Sequence, residues 1–315
     1  MSPAEYHAFQ PRFSLLEYLQ QQGWKPVRDN GGEEVAGLCP LHDETRPSFY
    51  VNRRKQVFYC HGCGRGGGLA RLIRLLGNLP EPAPEQLPER TYHFYQRQLE
   101  RSEDARAYLA KRGIHDRAVI ERMRIGYAPG ACLRGYLERL GYGRRTLLES
   151  GLVDEHGRDC FFRCLTFPLE PSNLYGRSLA NGICRHRFLP GSKGGLYGWR
   201  QALAFPRVIL VEGLFDVAAL WQSGFDNTVA ALGSNLNNLQ LTQLCRMDER
   251  VIYVCFDADR NGGGQRAARS LSIQLRHAGV EALRVELPCG HDPAGFFAGG
   301  AGSGDFQRLL ERARP

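Results

Sequence analysis

Hydrophobic positions recur with two different spacings along this chain, and the change of spacing marks its organisation. In FSLLEYLQQQG the apolar residues Phe13, Leu16 and Leu19 fall on one face of a helix. SFYVN and QVFYC read as short strands, joined through Arg53-Arg54-Lys55 into a hairpin, and LARLIRLLG returns to a helical pattern. GNLPEPAPEQLPER then carries Pro80, Pro82, Pro84 and Pro88, too many prolines for helix or sheet, which predicts a semi-rigid linker. YHFYQRQLERSEDARAYLAKRG is helical, and the sequence becomes mixed and glycine-rich up to about residue 200. From residue 207 short β-branched runs (RVILVEG, NTVAALGS, RVIYVCFDAD, EALRVELP) are separated by helical stretches such as FDVAALWQSG and GQRAARSLSIQLRHAG. Strand and helix in alternation imply a parallel sheet, so the expected class is α/β, α+β overall.

Composition adds limits. The 315 residues suit two or three domains, and 43% hydrophobic content is enough for packed cores. No apolar run approaches the ~20 residues of a membrane span. The N-terminal MSPAEYHAFQPRF is too polar for a signal peptide, so a cytoplasmic protein with no membrane partner is expected. No G-x-x-x-x-G-K-[ST] loop occurs, which argues against a built-in ATPase motor. The net charge of +8 matters less than its distribution. Between Pro171 and Val211 there is no acidic residue, yet Arg177, Arg185, Arg187, Lys193, Arg200 and Arg207 all lie there. Such a stretch either is a solvated basic face or holds phosphates.

Three of the ten cysteines carry chemistry. Cys39-Pro-Leu-His42 and Cys60-His-Gly-Cys63 form C-x2-H and C-x2-C pairs seventeen residues apart. Two tight turns bridged by a hairpin can aim four ligands at one tetrahedral Zn²⁺, with no position left open, which makes the metal structural. His61 inside the second knuckle is the weaker ligand choice. Cys160, Cys164, Cys184 and His186 are a second possible cluster, but their spacing matches no common knuckle. Phe49, Tyr50, Phe58 and Tyr59 alternate along the hairpin beside Arg53, Arg54 and Lys55. Half of each pair is expected in the core, and the other half is free to stack on unpaired bases.

A second constellation is acidic. Glu212 follows the strand RVILV, Asp257 and Asp259 follow VIYVCF, and Asp292 lies beyond ALRVELP. Ligands of a parallel α/β sheet bind outside the carboxyl ends of its strands, where these acids should gather. Asp257 and Asp259 point the same way if the chain is still extended there. Converging carboxylates repel unless a cation lies between them, and oxygen ligands select Mg²⁺ or Mn²⁺. Asp259 could instead cap a helix, and Asp216 could be a solvated first-turn residue.

These motifs resemble a known family. CPLHDETRPSF with CHGCGRGG is similar to the zinc motif of bacterial DnaG-type primases. YLAKRGI and RIGYAPG resemble the start of that family's RNA-polymerase domain, and VEGLFDVAAL, ALGSNL, CFDADRNG and HDP resemble its Toprim core. The likeness runs from about residue 10 to 298 in the family's order. It implies a zinc-ribbon DNA-binding domain over 1–79, a linker over 80–91, an N-terminal polymerase subdomain over 92–204, a Toprim subdomain over 205–300 and a C-terminal helix over 301–315. It further implies a nucleotidyltransferase, a DNA-directed RNA polymerase of the primase type, that makes RNA primers on single-stranded DNA from nucleoside triphosphates. Carried over by position, Cys39, His42, Cys60 and Cys63 would hold one Zn²⁺. Glu212, Asp257 and Asp259 would be catalytic and, with Asp216 and Asp292, would bind one to three Mg²⁺ or Mn²⁺ ions. Arg177, Arg187 and Lys193 would hold template or nucleotide phosphates. Ala294 stands where the family has a second acid after HDP, and Cys164 stands near where it has an arginine.

The family usually continues into a helical domain that docks on a replicative helicase, whereas this sequence stops at Pro315. The expectation is a short primase of a phage, plasmid or other mobile element, with a helicase or another replication protein supplied in trans. A Toprim nuclease and a catalytically silent nucleic-acid-binding protein are the two rival readings. A topoisomerase would need a tyrosine-bearing gate for which the chain is too short.

Overall fold

The computed structural model describes residues 14–77, 82–170, 172–179, 186–246 and 250–315. They fall into two compact units, one from Met1–Leu87 with Ala131–Arg158, the other from Pro88–Gly130 with Asp159–Pro315. Among the described residues no helix is long and apolar enough to cross a membrane.

In the first unit the expected opening helix is α1 (Leu15–Gln21). The Ser14 hydroxyl accepts from the Glu17 N–H, and the Glu17 carboxylate accepts in return from the Ser14 N–H, so two otherwise orphaned donors are satisfied. An antiparallel sheet follows in chain order: β1 (Arg28–Asp29), β2 (Glu34–Gly37), β3 (Phe49–Asn52), β4 (Val57–Cys60) and β5 (Gly66–Gly68). The β3–β4 hairpin pairs Phe49 with Cys60 and Asn52 with Val57. Its two-residue alternation sorts the aromatics. Phe49 and Phe58 are buried and stack at 5.2 Å, while Tyr59 is 47% exposed on the opposite face beside a half-buried Tyr50. α2 (Leu69–Leu75) adds Leu72 and Ile73 to the core built on Leu15, Leu19, Phe49 and Val51. The unit also holds helices over Leu133–Leu140 and Arg144–Glu149.

Residues 78–81 of the proline-rich stretch, Pro80 among them, lie outside the described residues. Pro84–Gln86 is a 3₁₀ turn, and α3 (Leu87–Arg101) starts directly after it. Pro84 and Pro88 lie in first turns, where a missing N–H costs no helical hydrogen bond.

In the second unit α3 is followed by α4 (Glu103–Lys111), then by an antiparallel sheet of β6 (Gly126–Ala128), β7 (Cys164–Leu169), β8 (Asn173–Ser178) and β9 (His186–Phe188), paired in that order. The chain then alternates through β10 (Arg207–Val211), α5 (Leu214–Gln222), β11 (Thr228–Ala230), α6 (Asn238–Cys245), β12 (Val251–Val254), α7 (Gly263–His277) and β13 (Glu281–Arg284). Two short helices, α8 (Pro293–Ala298) and α9 (Ser303–Glu311), end it. All pairings among β10 to β13 are parallel, in the spatial order β11-β10-β12-β13. The chain leaves β10 toward β11 and then crosses back to β12. That reversal opens a crevice at the carboxyl ends of β10 and β12.

Both faces of this sheet are covered, which is why its strands read as continuous apolar runs. Ile209, Val211, Tyr253 and Cys255 pack with α5 and with Phe167 and Tyr175 of the antiparallel sheet. Val208, Leu210, Ile252 and Val254 pack on the other side with Leu271 and Leu275 of α7.

Phe167 is fully buried, with ring centroids 5.4 Å from Phe215 and 5.8 Å from Tyr175. Phe167→Ala should destabilise the second unit by about 3–5 kcal/mol. Leu239→Ala, at a side chain 52% exposed, should stay within about 0.5 kcal/mol. Urea unfolding of the two variants measures the contrast.

Candidate functional site

The first unit gathers its ligand residues at the sheet's end. Cys60 closes β4, and Cys39 follows β2. Cys39 Sγ lies 4.0 Å from Cys63 Sγ, and Cys60 Sγ lies 3.9 Å from His42 Nδ1. Among the described residues Cys39, His42, Cys60 and Cys63 are the one group of possible ligands lying within 4.8 Å of one another. Ligands around a tetrahedral Zn²⁺ stand about 3.5–3.8 Å apart, so the set fits that ion. The Leu41 N–H points at Cys39 Sγ and the Cys63 N–H at Cys60 Sγ, each at 3.4 Å, which favours the thiolate forms that zinc needs. Burial, with the neighbouring thiols Cys60 and Cys63, pushes Cys39 up to about 12. Cys39 therefore stays a thiol unless a cation is bound, whereas at Cys60 burial is outweighed by hydrogen bonds from Ser48 and the Cys63 N–H, which hold it below its ordinary value. His42 approaches because residue 62 is glycine, since a Cβ there would lie 2.8 Å from His42 Nε2. His61 stands outside the group, edge-on to Tyr50 and Tyr59 at 5.3 and 4.9 Å.

Cys184 of the second cysteine cluster lies outside the described residues. Cys164 Sγ donates to the Phe162 carbonyl, and the His186 ring nitrogens face Arg177 and Tyr175.

The second unit places the acids at the mouth of the crevice. Glu212 is the residue after β10, and its Oε1 accepts from the Asp257 N–H at 3.1 Å. β12 ends at Val254, so the strand alternation that would have aligned Asp257 with Asp259 does not reach them. Asp257 is half-buried and Asp259 exposed. They remain coupled by charge. Burial first, then Glu212, Asp292 and Asp259, pushes Asp257 up to about 7, against the pull of Arg112. Burial also raises Glu212, with Asp259 adding to the rise. Asp257 Oδ1 is buried with no hydrogen-bond partner among the described residues. A buried, unpaired oxygen among repelling carboxylates is what a hard cation would satisfy.

Asp216 is not the solvated first-turn residue that the sequence allows. It is 5% exposed, accepting from the N–H groups of Gly213 and Ala294 at 3.1 Å each. Burial, then Asp292 and Asp257, holds it well above the usual carboxylate range. Ala294 thus supplies its backbone where a carboxylate had been expected. Asp292 caps α8 through the Gly295 N–H, and its other oxygen lies 3.9 Å from Arg112. The helix cap before α7 is Gly262, not Asp259.

Two residues that motif reading passed over shape this site. Gly264, in the first turn of α7, lies so close that a Cβ would stand 2.2 Å from the Asp257 carbonyl and 2.9 Å from Glu212 Oε1. Arg112, just past α4, lies over the Phe215 ring at 5.0 Å and faces Asp292. Arg112 sits in the YLAKRGI motif, but nothing in that pattern shows what it faces.

The basic residues lie on the antiparallel sheet. Arg177 is on β8, and its Nη1 lies 2.9 Å from His186 Nε2. Burial raises Tyr108, but hydrogen bonds from Arg112 and Arg177 outweigh it and leave this hydroxyl below its ordinary value. Tyr108 thus joins Arg177 to the cation that faces the acids. Arg187 on β9 is exposed and donates to the Cys160 carbonyl. Lys193 is exposed, with Nζ 4.4 Å from the Phe188 ring centroid. The loop after it is held by α6 and its cap, through Asn237 Nδ2 on the Gly194 carbonyl and Gln243 Oε1 on the Leu196 N–H.

Comparisons with known proteins agree with this geometry. Residues 25–79 match the CHC2 zinc finger, 94–181 the N-terminal domain of the DNA primase catalytic core, and 209–297 a Toprim-like domain. The chain is 31% identical to the DNA primase of Synechocystis over all of its own length and 59% of that protein, and 28% identical to that of Legionella pneumophila over 96% and 60%. It spans little more than half the length of such relatives. The solved zinc-binding and RNA-polymerase domains of Aquifex aeolicus primase superpose with a TM-score of 0.65 at 26% identity, covering 96% of this chain and 83% of that one. A DnaG catalytic domain solved bound to single-stranded DNA gives 0.60 at 27%, covering 74% and 81%. With a CHC2 zinc finger, the primase core and a Toprim domain following one another in a single chain, this protein belongs to the bacterial DnaG-type primase family.

Proposed function

We propose that the chain synthesises short RNA primers on single-stranded DNA by metal-dependent nucleotidyl transfer. The observation that carries this reading is the electrostatic coupling of Glu212, Asp257, Asp259 and Asp292 at the crevice, with one Asp257 oxygen buried and unsatisfied. Glu212, Asp257 and Asp259 would hold one or more Mg²⁺ or Mn²⁺ ions, with Asp216 and Asp292 behind them. Bound there, such ions neutralise triphosphate charge and favour ionisation of the attacking 3′-hydroxyl. Asp216, held by two backbone N–H groups, fixes the start of α5 against α8. Gly264 lets α7 approach closely enough for Glu212 to grip the Asp257 backbone. Arg112, Arg177, Arg187 and Lys193 hold phosphates of the template or the incoming nucleotide. The zinc ribbon, ordered by one Zn²⁺, presents Tyr50, Tyr59 and His61 on one face of its sheet to unpaired bases. The same reading puts the protein in the cytoplasm, with template and ribonucleoside triphosphates.

Incubation with single-stranded DNA, labelled ribonucleoside triphosphates and Mg²⁺ or Mn²⁺ should yield short oligomers from the wild type. Glu212→Gln and Asp257→Asn should reduce the yield about 100-fold or more. Gly264→Ala should do nearly as much by separating the two acids. Equal product from wild type and Glu212→Gln ends the assignment, and nicking of DNA without triphosphates would point to a nuclease instead.

The acids also predict a pH dependence. A carboxyl group raised in the fold keeps a proton that the unfolded chain has already lost, so Asp257 withdraws stability as pH climbs from about 4 to 7. Above that window the charged form persists, and a divalent cation replaces the proton. Mg²⁺ should therefore raise the melting temperature more at about pH 8 than at about pH 6. The Asp257→Asn variant should lose most of that difference.

Metal analysis should find one zinc per chain. Its removal by a chelator should make Cys39, Cys60 and Cys63 reactive to a thiol reagent and melt the first unit's sheet. Unchanged reactivity after zinc loss would exclude the four-ligand site.

A further inference from the structure

His186 stands between two groups whose chemistry fixes its own. Its Nε2 is 2.9 Å from Arg177 Nη1, and its Nδ1 is 2.8 Å from the Tyr175 hydroxyl. A guanidinium only donates, so Nε2 must accept, and the imidazole must be neutral with its proton on Nδ1, donating to the Tyr175 oxygen. Tyr175 suits that role, because burial keeps its hydroxyl protonated. Protonation of His186 would set an N–H against the guanidinium, lose the hydrogen bond and add a like charge. Among the described residues, the charged and titratable groups that the ring touches are Tyr175 and Arg177 of β8, with Arg187 next along β9.

Arg177 is thus held through one Nη by His186, while its Nε is buried. A long basic side chain free in solvent loses rotamer entropy when it grips an anion, and one already fixed loses little. We infer that His186 is a positioning residue for phosphate binding: as the neutral imidazole it fixes the Arg177 guanidinium, whose remaining N–H groups meet a phosphate. This rests on the reading of Arg177 as a phosphate-binding group. The phosphate belongs either to a nucleic-acid strand or to a nucleoside triphosphate.

The test uses the full zinc-loaded chain with two probes, a fluorescent oligothymidylate for strand phosphates and Mg²⁺–ATP for the triphosphate. His186 is exposed, so its truncation spares the fold, and a melting curve checks this. His186→Ala should weaken binding of one probe about fivefold, and Arg177→Ala at least as much. The double variant should bind no worse than Arg177→Ala. His186→Gln, whose carbonyl accepts from Arg177 while its NH₂ donates to Tyr175, should stay within about twofold of wild type. The responding probe identifies the source of the phosphate. If Arg177→Ala weakens binding but His186→Ala does not, or if their losses add in the double variant, the positioning role is wrong. A glutamine variant as weak as the alanine one overturns it equally. If Arg177→Ala binds both probes like the wild type, the reading of Arg177 fails first and the role of His186 falls with it.

Discussion

Mutual repulsion among carboxylates at the end of a parallel sheet is the constraint around which the second unit is built. Two unit charges about 4 Å apart interact with about 4 kcal/mol at an effective dielectric constant of 20. Here Glu212, Asp257, Asp259 and Asp292 act on one another from farther apart, but where burial has removed part of the water. The fold answers with what a protein can supply alone. Asp216 receives two backbone N–H groups, Glu212 grips the Asp257 backbone, and Arg112 faces Asp292. That is incomplete, since burial and the neighbouring acids still push Asp257 up to about 7 and one of its oxygens stays unsatisfied. A sheet that only needed to fold would have no reason to collect these groups, because apolar residues of similar volume would be more stable there.

The first unit meets a related constraint with softer atoms. Its thiols are buried and close, and Cys39 is pushed too high to ionise by itself. The difference lies in closure. Four ligands within 4.8 Å complete a tetrahedron and leave nothing for a substrate. Among the described residues no three carboxylates come that near one another. Looser oxygen ligands suit an ion that keeps waters and exchanges them for phosphate oxygens. On the proposed reading, one cluster would order a domain, and the other would leave coordination positions open for chemistry.

Much of this was legible in the sequence because it lies in short-range pattern. Knuckle spacing, the aromatic alternation of the β3–β4 hairpin and the apolar strands ending in Glu212 and before Asp257 all depend on neighbours along the chain. What stayed hidden depends on distant contacts. The burial of Asp216 follows from the Ala294 backbone on α8, across the sheet's edge. The need for glycine at 264 follows from a carbonyl on the preceding loop. Arg112 and Asp292, far apart in sequence, meet only once α4 packs near α8. Strand alternation misled at Asp257 and Asp259 because β12 stops sooner than the apolar run VIYVCF does. Pro84 and Pro88 block no helix, since a first-turn proline is as compatible with a helix as with a tether.

The two kinds of charge are anchored in different ways, and that difference bears on how the protein would handle its substrates. The acids sit at the ends of strands buried on both faces, so their positions are set by a core that yields little to local change. The cations sit on β8, β9 and the loop beyond, where backbone pairing alone leaves long side chains free. Their order comes instead from single partners: His186 for Arg177, the Cys160 carbonyl for Arg187, the Phe188 ring for Lys193. On the proposed reading, metal binding would demand carboxylates fixed to a fraction of an ångström, whereas a strand that slides by one nucleotide at each addition would demand cations that can let go. A rigid acidic centre beside a basic surface ordered by single hydrogen bonds would meet both demands within one fold.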